Sequence, residues 1–420
     1  MVTPSSQSDS NSIVDADQTA TVTTAASSTA VSPAEESAAS NTSESQTLSL
    51  GQSWLYAGGA LLAVYGLFAS IDWLNIGFQS ILGPQVEALL TLAANPWLGL
   101  LLGILATALM QSSSVVTTLL VGFVAGGLPL ATAIPMVMGA NLGTTITNTL
   151  VSLGYVGNDE EFERGFAAAT IHDCFNLVAL LIFFPLELGL HPLEQLSQWL
   201  LRQTLSADFM LENWLAPMDW LLHPSRWLMA YGVNSMPGPW DSLLLFSASV
   251  GGLMISVTAL SWLMKHWLDT PVKNTIHWAT GHGSGIGGLA TGAAITALVQ
   301  SSSMTTSLMV PLAGAGLVTL QDVYPFVLGA NIGTCITALM ATLALANPVA
   351  LQLALVHLSF NLLAVGLIYG LPPLRAMPLA MAQQLATTAR NYRIVAIAYV
   401  VGVFFLVPFA ALWLSLTLLI

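Results

Sequence analysis

Long apolar segments follow one another along the chain from residue 53 to residue 418. Several contain the roughly 20 residues with which a helix crosses about 30 Å of hydrocarbon. Only 7% of the 420 residues are charged and 55% are hydrophobic, whereas soluble globular chains carry about 25% charged residues. The sequence therefore predicts an all-α, polytopic integral membrane protein.

The N-terminal residues 1–48 have a different composition, rich in Ser, Thr, Ala and acidic residues. Such a segment cannot bury enough apolar surface to fold, so we expect a disordered acidic tail and not a signal peptide. The two cysteines, Cys174 and Cys335, both lie in apolar segments, so no disulfide framework is predicted. No basic cluster indicates binding to nucleic acid.

Two polar clusters interrupt the apolar segments, QSSSVVTT at 111–118 and QSSSMTTS at 300–307. The apolar run before each cluster, 95–110 or 286–299, gives a helix of only about 24 or 21 Å. A helix that stops partway, breaks at a polar cluster and turns back is a re-entrant hairpin, which is tolerated where protein or water surrounds it. We therefore predict a re-entrant helical hairpin at each QSSS cluster.

Three motifs occur twice in the same order and at nearly the same spacing: a QSSS cluster, a GAN-x-GT segment and a segment that ends in FN. This order predicts an internal duplication. The motifs are QSSSVVTT (111–118), GANLGTTIT (139–147) and HDCFN (172–176) in the first copy, and QSSSMTTS (300–307), GANIGTCIT (329–337) and HLSFN (357–361) in the second.

The number of membrane crossings predicts how the two copies are oriented. After the first hairpin come two full spans, 131–154 and 165–189, and the additional span 241–264 then carries the chain to the opposite face. The copies are therefore predicted to be inverted-topology repeats, an architecture of many secondary transporters. The predicted organisation is a tail (1–48), a first repeat (49–190), an extramembrane loop (191–240), a second repeat (241–372), and a basic loop with a final transmembrane helix (373–420).

The basic residues predict a cytoplasmic N-terminus, because the loops on that side would then hold most of them. Loop 191–240 would lie outside with Arg202 and Arg226. The remaining basic residues, which fall on the inner side, are Arg164, Lys265, Lys273, Arg375, Arg390 and Arg393.

The QSSS clusters have two interpretations. In lipid an unpaired hydroxyl or amide costs on the order of several kcal/mol, so the clusters either join helices or bind a ligand. Their position at a helix break in each inverted half favours a ligand site near the membrane midplane. Helix N-termini at Ser112–Ser114 and Ser301–Ser303 suit an oxyanion, and oxygen ligands suit a hard cation such as Na+. With no Lys or Arg nearby, an anion needs co-bound cations, which predicts coupled binding.

The GAN-x-GT segments carry a polar stripe beside small residues. Asn, Thr and Thr recur at i, i+3 and i+6 in both copies, and the glycines allow another helix to approach closely.

His172, Asp173 and His357 are ionisable residues in apolar surroundings; the histidines fit either a hydrogen bond between helices or proton sensitivity. No base lies near the QSSS serines, so no enzyme is predicted.

At these motifs the chain resembles the type II sodium-dependent phosphate cotransporter family over roughly residues 85–370. The resemblance implies import of inorganic phosphate driven by Na+, which is a co-substrate; no cofactor is expected. The phosphate-binding candidates are Gln111, Ser112, Ser113, Ser114, Gln300, Ser301, Ser302 and Ser303. The sodium-binding candidates are Gln300, Ser301, Thr306, Asn331, Thr334, Thr337, Asn141 and Thr144.

Other interpretations stay open at this point. The same fold could carry another oxyanion, such as sulfate or a carboxylate, with Na+; a different class is a membrane sensor or scaffold without transport. Loop 191–240 lacks the cysteines found in animal members of the family, so we expect a bacterial inner-membrane protein. The expected partners are phosphate, sodium and the lipid bilayer, and a homodimer is left open.

Overall fold

The computed structural model describes residues 50–81, 95–205, 220–231, 240–281, 285–345 and 347–419. The predicted disordered tail lies outside these residues, as do residues 206–219 and 232–239 of the predicted loop 191–240. The described residues contain helices and no strand.

Seventeen helical segments follow one another in the described residues, and short 3-10 or π turns extend some of them. The helices are α1 (Leu50–Ile81), α2 (Pro96–Met110), α3 (Ser113–Ala125), α4 (Leu130–Leu142), α5 (Ile146–Leu153), α6 (Asp159–Leu190), α7 (Pro192–Leu205), α8 (220–231), α9 (Trp240–Gly281), α10 (Gly285–Val299), α11 (Ser302–Ser307), α12 (Met309–Gly314), α13 (Leu320–Leu345), α14 (Pro348–Ala364), α15 (Pro372–Asn391), α16 (Arg393–Val401) and α17 (Val407–Leu419).

Six helical stretches are long and apolar enough to cross a membrane, and α2, α3 and α10 are shorter apolar helices. This confirms the prediction of an all-helical, polytopic protein for the described part of the chain. The six stretches are Gly51–Phe78, Asp159–Leu190, Ser242–Trp267, Leu320–Leu345, Pro348–Tyr369 and Arg393–Ser415.

The two GAN-x-GT segments differ in continuity. In the second copy the segment lies within the unbroken helix α13. In the first copy a 3-10 turn, Gly143–Thr145, separates α4 from α5 where one span over 131–154 was expected. Thr145 in this turn donates a side-chain hydrogen bond to Asp173 of α6, so the interruption lies where the segment is tied to a neighbouring helix.

A helix replaces the predicted basic loop after the second copy. Helix α15 starts with proline in its first turn, where the missing N–H costs nothing, and continues with good helix formers such as Ala, Met and Gln. It packs along α6, and Arg390 donates to Glu163 at 2.7 Å. This hydrogen bond raises the pKa of the Arg390 guanidinium above its ordinary value. Polar contacts between helices thus hold the segment in a regular conformation.

Each GAN-x-GT segment packs against the helix that precedes its QSSS cluster, with the two backbones in close contact. A Cβ atom added to Gly139 would lie 2.0 Å from the carbonyl oxygen of Leu100, and one added to Gly329 would lie 1.9 Å from that of Leu289. Only glycine allows such an approach, which confirms the expectation for these small residues. The pairs α2–α4 and α10–α13 are therefore equivalent units of the two copies.

Candidate functional site

Both helices break at the predicted residues. Gln111 and Gln300 adopt left-handed backbone conformations with φ of 54° and 59°, which are uncommon for residues other than glycine. The next residue, Ser112 or Ser301, is extended, and its hydroxyl accepts the backbone N–H three positions later at 3.3 Å. The first serine of each cluster is therefore an N-cap, as the helix-start position of the motif requires.

The two glutamines lie in different environments. Gln300 is buried, and its Oε1 accepts a hydrogen bond of 2.7 Å from Thr337 of the GAN-x-GT segment. Gln111 is exposed, and the hydroxyl of Thr147, the counterpart of Thr337, has no partner in the protein. The two copies thus share one backbone geometry but differ in whether the glutamine reaches its threonine.

The remaining QSSS serines are mostly buried. The second and third serines of the clusters lie at or below 9% exposure, whereas both N-cap serines are half-buried. Ser303 donates to the backbone oxygen of Thr144 at 3.3 Å, and Asn148 donates to the hydroxyl of Thr306 at 2.7 Å. The second cluster is therefore in direct contact with the GAN-x-GT segment of the first copy.

Four predicted sodium candidates make hydrogen bonds within their own helices or to a QSSS residue. Thr144, Thr306 and Thr334 each donate to the carbonyl four residues earlier, at 3.1, 2.8 and 2.9 Å. Thr337 donates to Gln300. A hydroxyl whose proton is used in this way still has lone pairs that a cation can accept.

The asparagines of the GAN segments are bound by the other copy. The imidazole Nε2 of His357 contacts Oδ1 of Asn141 at 3.0 Å, and Asn141 donates to Asn361 at 3.1 Å. The GAN asparagine of the second copy makes the corresponding contacts: His172 contacts Oδ1 of Asn331, and Asn331 donates to Asn176 Oδ1 at 2.8 Å.

One further hydrogen bond joins these two groups, because Asn176 also donates to the backbone oxygen of Asn141 at 2.8 Å. All six side chains of this network are buried. The contacts support the interpretation of His172 and His357 as hydrogen-bonding residues between helices.

Several buried oxygens around the QSSS clusters have no hydrogen-bond partner in the protein. Most buried polar atoms are paired, and an unpaired one costs roughly 1–3 kcal/mol, so these oxygens remain able to accept a contact from an ion or water. They are Oδ1 of Asn148 and the hydroxyls of Thr107, Thr118, Thr147 and Thr296.

Asn148 and Tyr399 did not emerge from the sequence. Asn148 lies two helical turns after Asn141, and this spacing could have indicated that it shares a face with the polar stripe. Tyr399 donates to Asp173 at 2.9 Å across 226 positions, and no local signal reveals such a contact.

The chain is similar to proteins whose names describe sodium-dependent phosphate transport. The chain is 32% identical to sodium-dependent phosphate transport protein 2B of Pongo abelii and of Homo sapiens, over 84% of this chain and 64% of each relative. It is 31% identical to protein 2A of Ovis aries, over 84% of this chain and 66% of that relative. The chain thus spans about two thirds of the length of these relatives. No solved structure matches it.

The family model described as Na+/Pi-cotransporter matches residues 67–192 and 253–372. The matched ranges contain both QSSS clusters, both GAN-x-GT segments and both segments that end in FN. A cotransporter family agrees with the expectation that the chain is not an enzyme, and the six apolar stretches agree with a multi-pass membrane protein. The chain belongs to the Na+/Pi-cotransporter family.

Proposed function

We propose that the protein is a sodium-coupled symporter that imports inorganic phosphate across a membrane. The family description and the names of the relatives support this substrate and this co-substrate. In this proposal the two copies are inverted repeats, each QSSS cluster forms the tip of a re-entrant hairpin, and the N-terminus is cytoplasmic in a bacterial inner membrane.

Phosphate binds between the two clusters through uncharged donors. The Ser113 and Ser302 side chains are buried at the starts of their helices. The hydroxyls of Thr118, in the first cluster, and of Thr296, four residues before the second, have no protein partner. Such donors can hold an oxyanion where free backbone N–H groups also point toward it. The phosphate ligands proposed are Gln111, Ser112, Ser113, Ser114, Gln300, Ser301, Ser302 and Ser303.

Sodium binds to the oxygen-rich surroundings of the same clusters. Threonine hydroxyls that donate to their own helix keep lone pairs for a hard cation. The asparagine side chains already have partners in the histidine network, so they would contribute only if this network rearranges. The sodium ligands proposed are Gln300, Ser301, Thr306, Asn331, Thr334, Thr337, Asn141 and Thr144.

The absence of basic residues explains why the two substrates are coupled. No Lys or Arg occurs at 49–163 or at 274–374, the segments that contain both clusters. An anion in a low-dielectric site without a counter-charge is costly. Phosphate therefore binds well only when sodium supplies the positive charge, and this mutual dependence is a coupling free energy between the sites.

The observation that carries the proposal is the pair of contacts that the second QSSS cluster makes with the first copy. Ser303 donates to Thr144 of the GAN-x-GT segment, and Asn148, the residue after this segment, donates to Thr306. These contacts join motifs from the two copies around buried, unpartnered oxygens. Gln300 is hydrogen-bonded to Thr337, whereas the hydroxyl of Thr147, the residue that corresponds to Thr337, has no partner in the protein. This difference suits an alternating-access cycle in which the two copies exchange the bonded and the unbonded arrangement.

The test is uptake of radiolabelled phosphate by purified protein in liposomes, with either Na+ or K+ outside. We expect uptake with Na+ to exceed uptake with K+ many-fold, and empty liposomes provide the background. Equal uptake in the two salts contradicts the coupling. Sulfate or a carboxylate that competes as well as phosphate shows a carrier of another oxyanion, and no uptake in either salt points to a sensor or scaffold.

A further inference from the structure

One histidine and two glutamates converge at the corner between α6 and α7. Glu187 lies in the last turn of α6, His191 directly follows this helix, and Glu194 lies in the first turn of α7. One oxygen or nitrogen atom of each side chain lies within 4.8 Å of those of the other two. Among the described residues, no other set of three or more His, Cys, Asp or Glu side chains brings its ligand atoms this close together.

The local sequence explains how this corner forms. His191 has a left-handed backbone conformation with φ of 50°, and its N–H donates to the backbone oxygen of Glu187 at 3.2 Å, which ends α6. Pro192 then starts α7, where a missing N–H costs nothing. Only one residue separates the two helices, so side chains from both helices surround the same point.

Glu187 is held in place by the backbone of α7. It is 5% exposed, and its two carboxylate oxygens accept the N–H groups of Leu193 at 2.7 Å and of Glu194 at 3.1 Å. These bonds satisfy two of the N–H groups that a helix start leaves without an intrahelical partner. Each oxygen keeps a lone pair for a further contact. Glu187 is therefore a fixed ligand, unlike a mobile surface carboxylate.

His191 and Glu194 are close to each other without a hydrogen bond. The imidazole Nδ1 of His191 lies 3.6 Å from Oε2 of Glu194, whereas an N–H···O hydrogen bond spans about 2.7–3.2 Å. Two ligand atoms of one tetrahedral Zn2+, each about 2.0–2.2 Å from the metal, lie roughly 3.3–3.6 Å apart. The observed spacing thus matches two ligands of a shared ion. Both side chains are accessible from solvent, at 56% and 39% exposure.

The charges of the group favour a divalent cation. Among the described residues, no Lys or Arg forms an ion pair with Glu187 or Glu194. Two carboxylates with a neutral imidazole, the form that binds metals, carry two negative charges. A mixed set of imidazole nitrogen and carboxylate oxygen suits Zn2+, whereas Mg2+ and Ca2+ prefer oxygen ligands alone.

We propose that Glu187, His191 and Glu194 bind Zn2+ at the corner between α6 and α7, with water as the fourth ligand. As a metal site it stands on the geometry of the corner alone. Its effect on transport rests on the proposed function. In the orientation that we propose, the corner faces the outside, and His191 is reached by Zn2+ from that side.

The proposed site connects the first copy to the second. Gln352 of α14 donates to the backbone oxygen of Glu194 and to the hydroxyl of Ser197, both at 3.4 Å. Helices α6 and α14 also carry the two histidines of the network between the copies. An ion that ties α6 to α7 therefore also restrains α6 relative to α14. Alternating access requires movement between the copies, so bound Zn2+ should slow phosphate uptake.

The second copy has no equivalent of this site. When the two segments that end in FN, 172–176 and 357–361, are aligned, the three ligand positions correspond to Pro372, Ala376 and Leu379. None of these side chains can bind a metal ion. The pair of copies is therefore expected to bind one Zn2+ per chain at this corner.

The test is isothermal titration calorimetry of ZnCl2 into the purified full-length protein in detergent, after removal of the affinity tag and treatment with a chelator. We expect one Zn2+ per chain for wild type. His191→Asn should raise the Zn2+ dissociation constant at least about tenfold, because it removes the imidazole ligand. Asparagine tolerates a left-handed backbone conformation, so the corner keeps its geometry. Thermal melting without metal checks that the variant is folded.

A second variant and a matched control complete the set. Glu194→Gln removes one charge with little change in shape and should also weaken Zn2+ binding about tenfold or more. Glu187 is left intact because its carboxylate caps α7. His223→Asn removes an exposed histidine of α8 that lies outside the group, and it should bind Zn2+ as wild type does. MgCl2 in place of ZnCl2 should bind much more weakly.

The outcomes separate this inference from the proposed function. Failure of wild type to bind Zn2+, unchanged binding in both His191→Asn and Glu194→Gln, or Mg2+ binding as tight as Zn2+ binding overturns the inference, even if liposome uptake is sodium-coupled. Zn2+ binding that requires both residues supports the site, even if the protein transports no phosphate. If it does transport phosphate, external Zn2+ should lower the initial uptake rate of wild type and leave that of His191→Asn unchanged.

Discussion

The imidazole Nε2 of His357 lies 3.0 Å from Oδ1 of Asn141, although 216 positions separate the two residues. His172 makes the same contact with Asn331 in the opposite direction. Each copy of the duplication therefore supplies a histidine to the GAN asparagine of the other copy. Because all these groups are buried, neither copy can satisfy its own asparagine alone.

This exchange predicts that the histidine network stabilises the assembly of the two copies. Asn141→Ala removes the protein partner of the His357 Nε2 atom and of the Asn361 Oδ1 atom, although Asn361 still donates to the backbone oxygen of His357. We therefore expect it to lower the free energy of unfolding by about 1–3 kcal/mol. The measurement is thermal unfolding in detergent without Na+, for Asn141→Ala, His357→Ala and the double variant.

These variants form a double-mutant cycle. The double variant should lose less free energy of unfolding than the two single variants lose together, because the two side chains share one contact. Strict additivity would show that the contact contributes nothing. A normal melting temperature with a raised Na+ requirement would instead make Asn141 a sodium ligand.

The sequence predicted the elements whose signals are local. Short apolar runs and polar clusters located both helix breaks at Gln111 and Gln300, since a break depends on neighbouring residues. The GAN glycines predicted a close helix contact, because only a missing side chain permits it. Helix α15 was missed because its polar, basic composition resembles a loop, although its Ala-rich run favours a helix.

Contacts between side chains that are far apart in the sequence could not be predicted in the same way. A duplicated motif suggests equal roles for its two copies, yet Gln111 is exposed and Gln300 is buried. The contact of Tyr399 with Asp173 depends on how distant helices pack. Periodicity describes one helix at a time, so it does not identify which helix faces a given polar residue.

The close contact of the first GAN helix with α2 makes Gly139 sensitive to substitution. In Gly139→Ala the new methyl group would meet the backbone carbonyl of Leu100 at 2.0 Å, and a backbone atom cannot move aside as a flexible side chain can. We expect overpacking that costs at least about 1–3 kcal/mol, measured as yield and melting temperature of the purified protein.

Gly251→Ala is the matched control for this prediction, because a Cβ atom added there would have no neighbour within 4 Å and the residue lies in a long helix. Alanine is the better helix former by about 1 kcal/mol, so this variant should be as stable as wild type or more stable. Equal behaviour of the two variants would show that the helices can separate at Gly139 without cost.

The second QSSS cluster leads to a prediction for transport. Ser302 is buried at the start of α11 and is a proposed phosphate ligand. Ser302→Ala should raise the phosphate or Na+ concentration for half-maximal uptake by about tenfold, the loss of one or two hydrogen bonds at the site. Thr417→Val removes an exposed hydroxyl of the last helix and should leave both concentrations unchanged. Wild-type kinetics for Ser302→Ala would place the site elsewhere.

Asn148 joins the first copy to the second cluster, and its counterpart in the second copy is Ala338. It donates to Thr306 at 2.7 Å, while its Oδ1 has no partner in the protein. If this oxygen faces a bound cation, Asn148→Ala removes both a ligand and the donor that orients Thr306. We therefore expect the Na+ concentration for half-maximal phosphate uptake to rise by about tenfold.

Thr306→Val tests whether the two residues act as one unit. Valine keeps the shape of threonine but removes the hydroxyl, so the single variants should have similar effects on the Na+ requirement. The double variant should be little worse than either one, because both substitutions remove the same interaction. Independent, additive effects would mean that the 2.7 Å contact is only packing between the two copies.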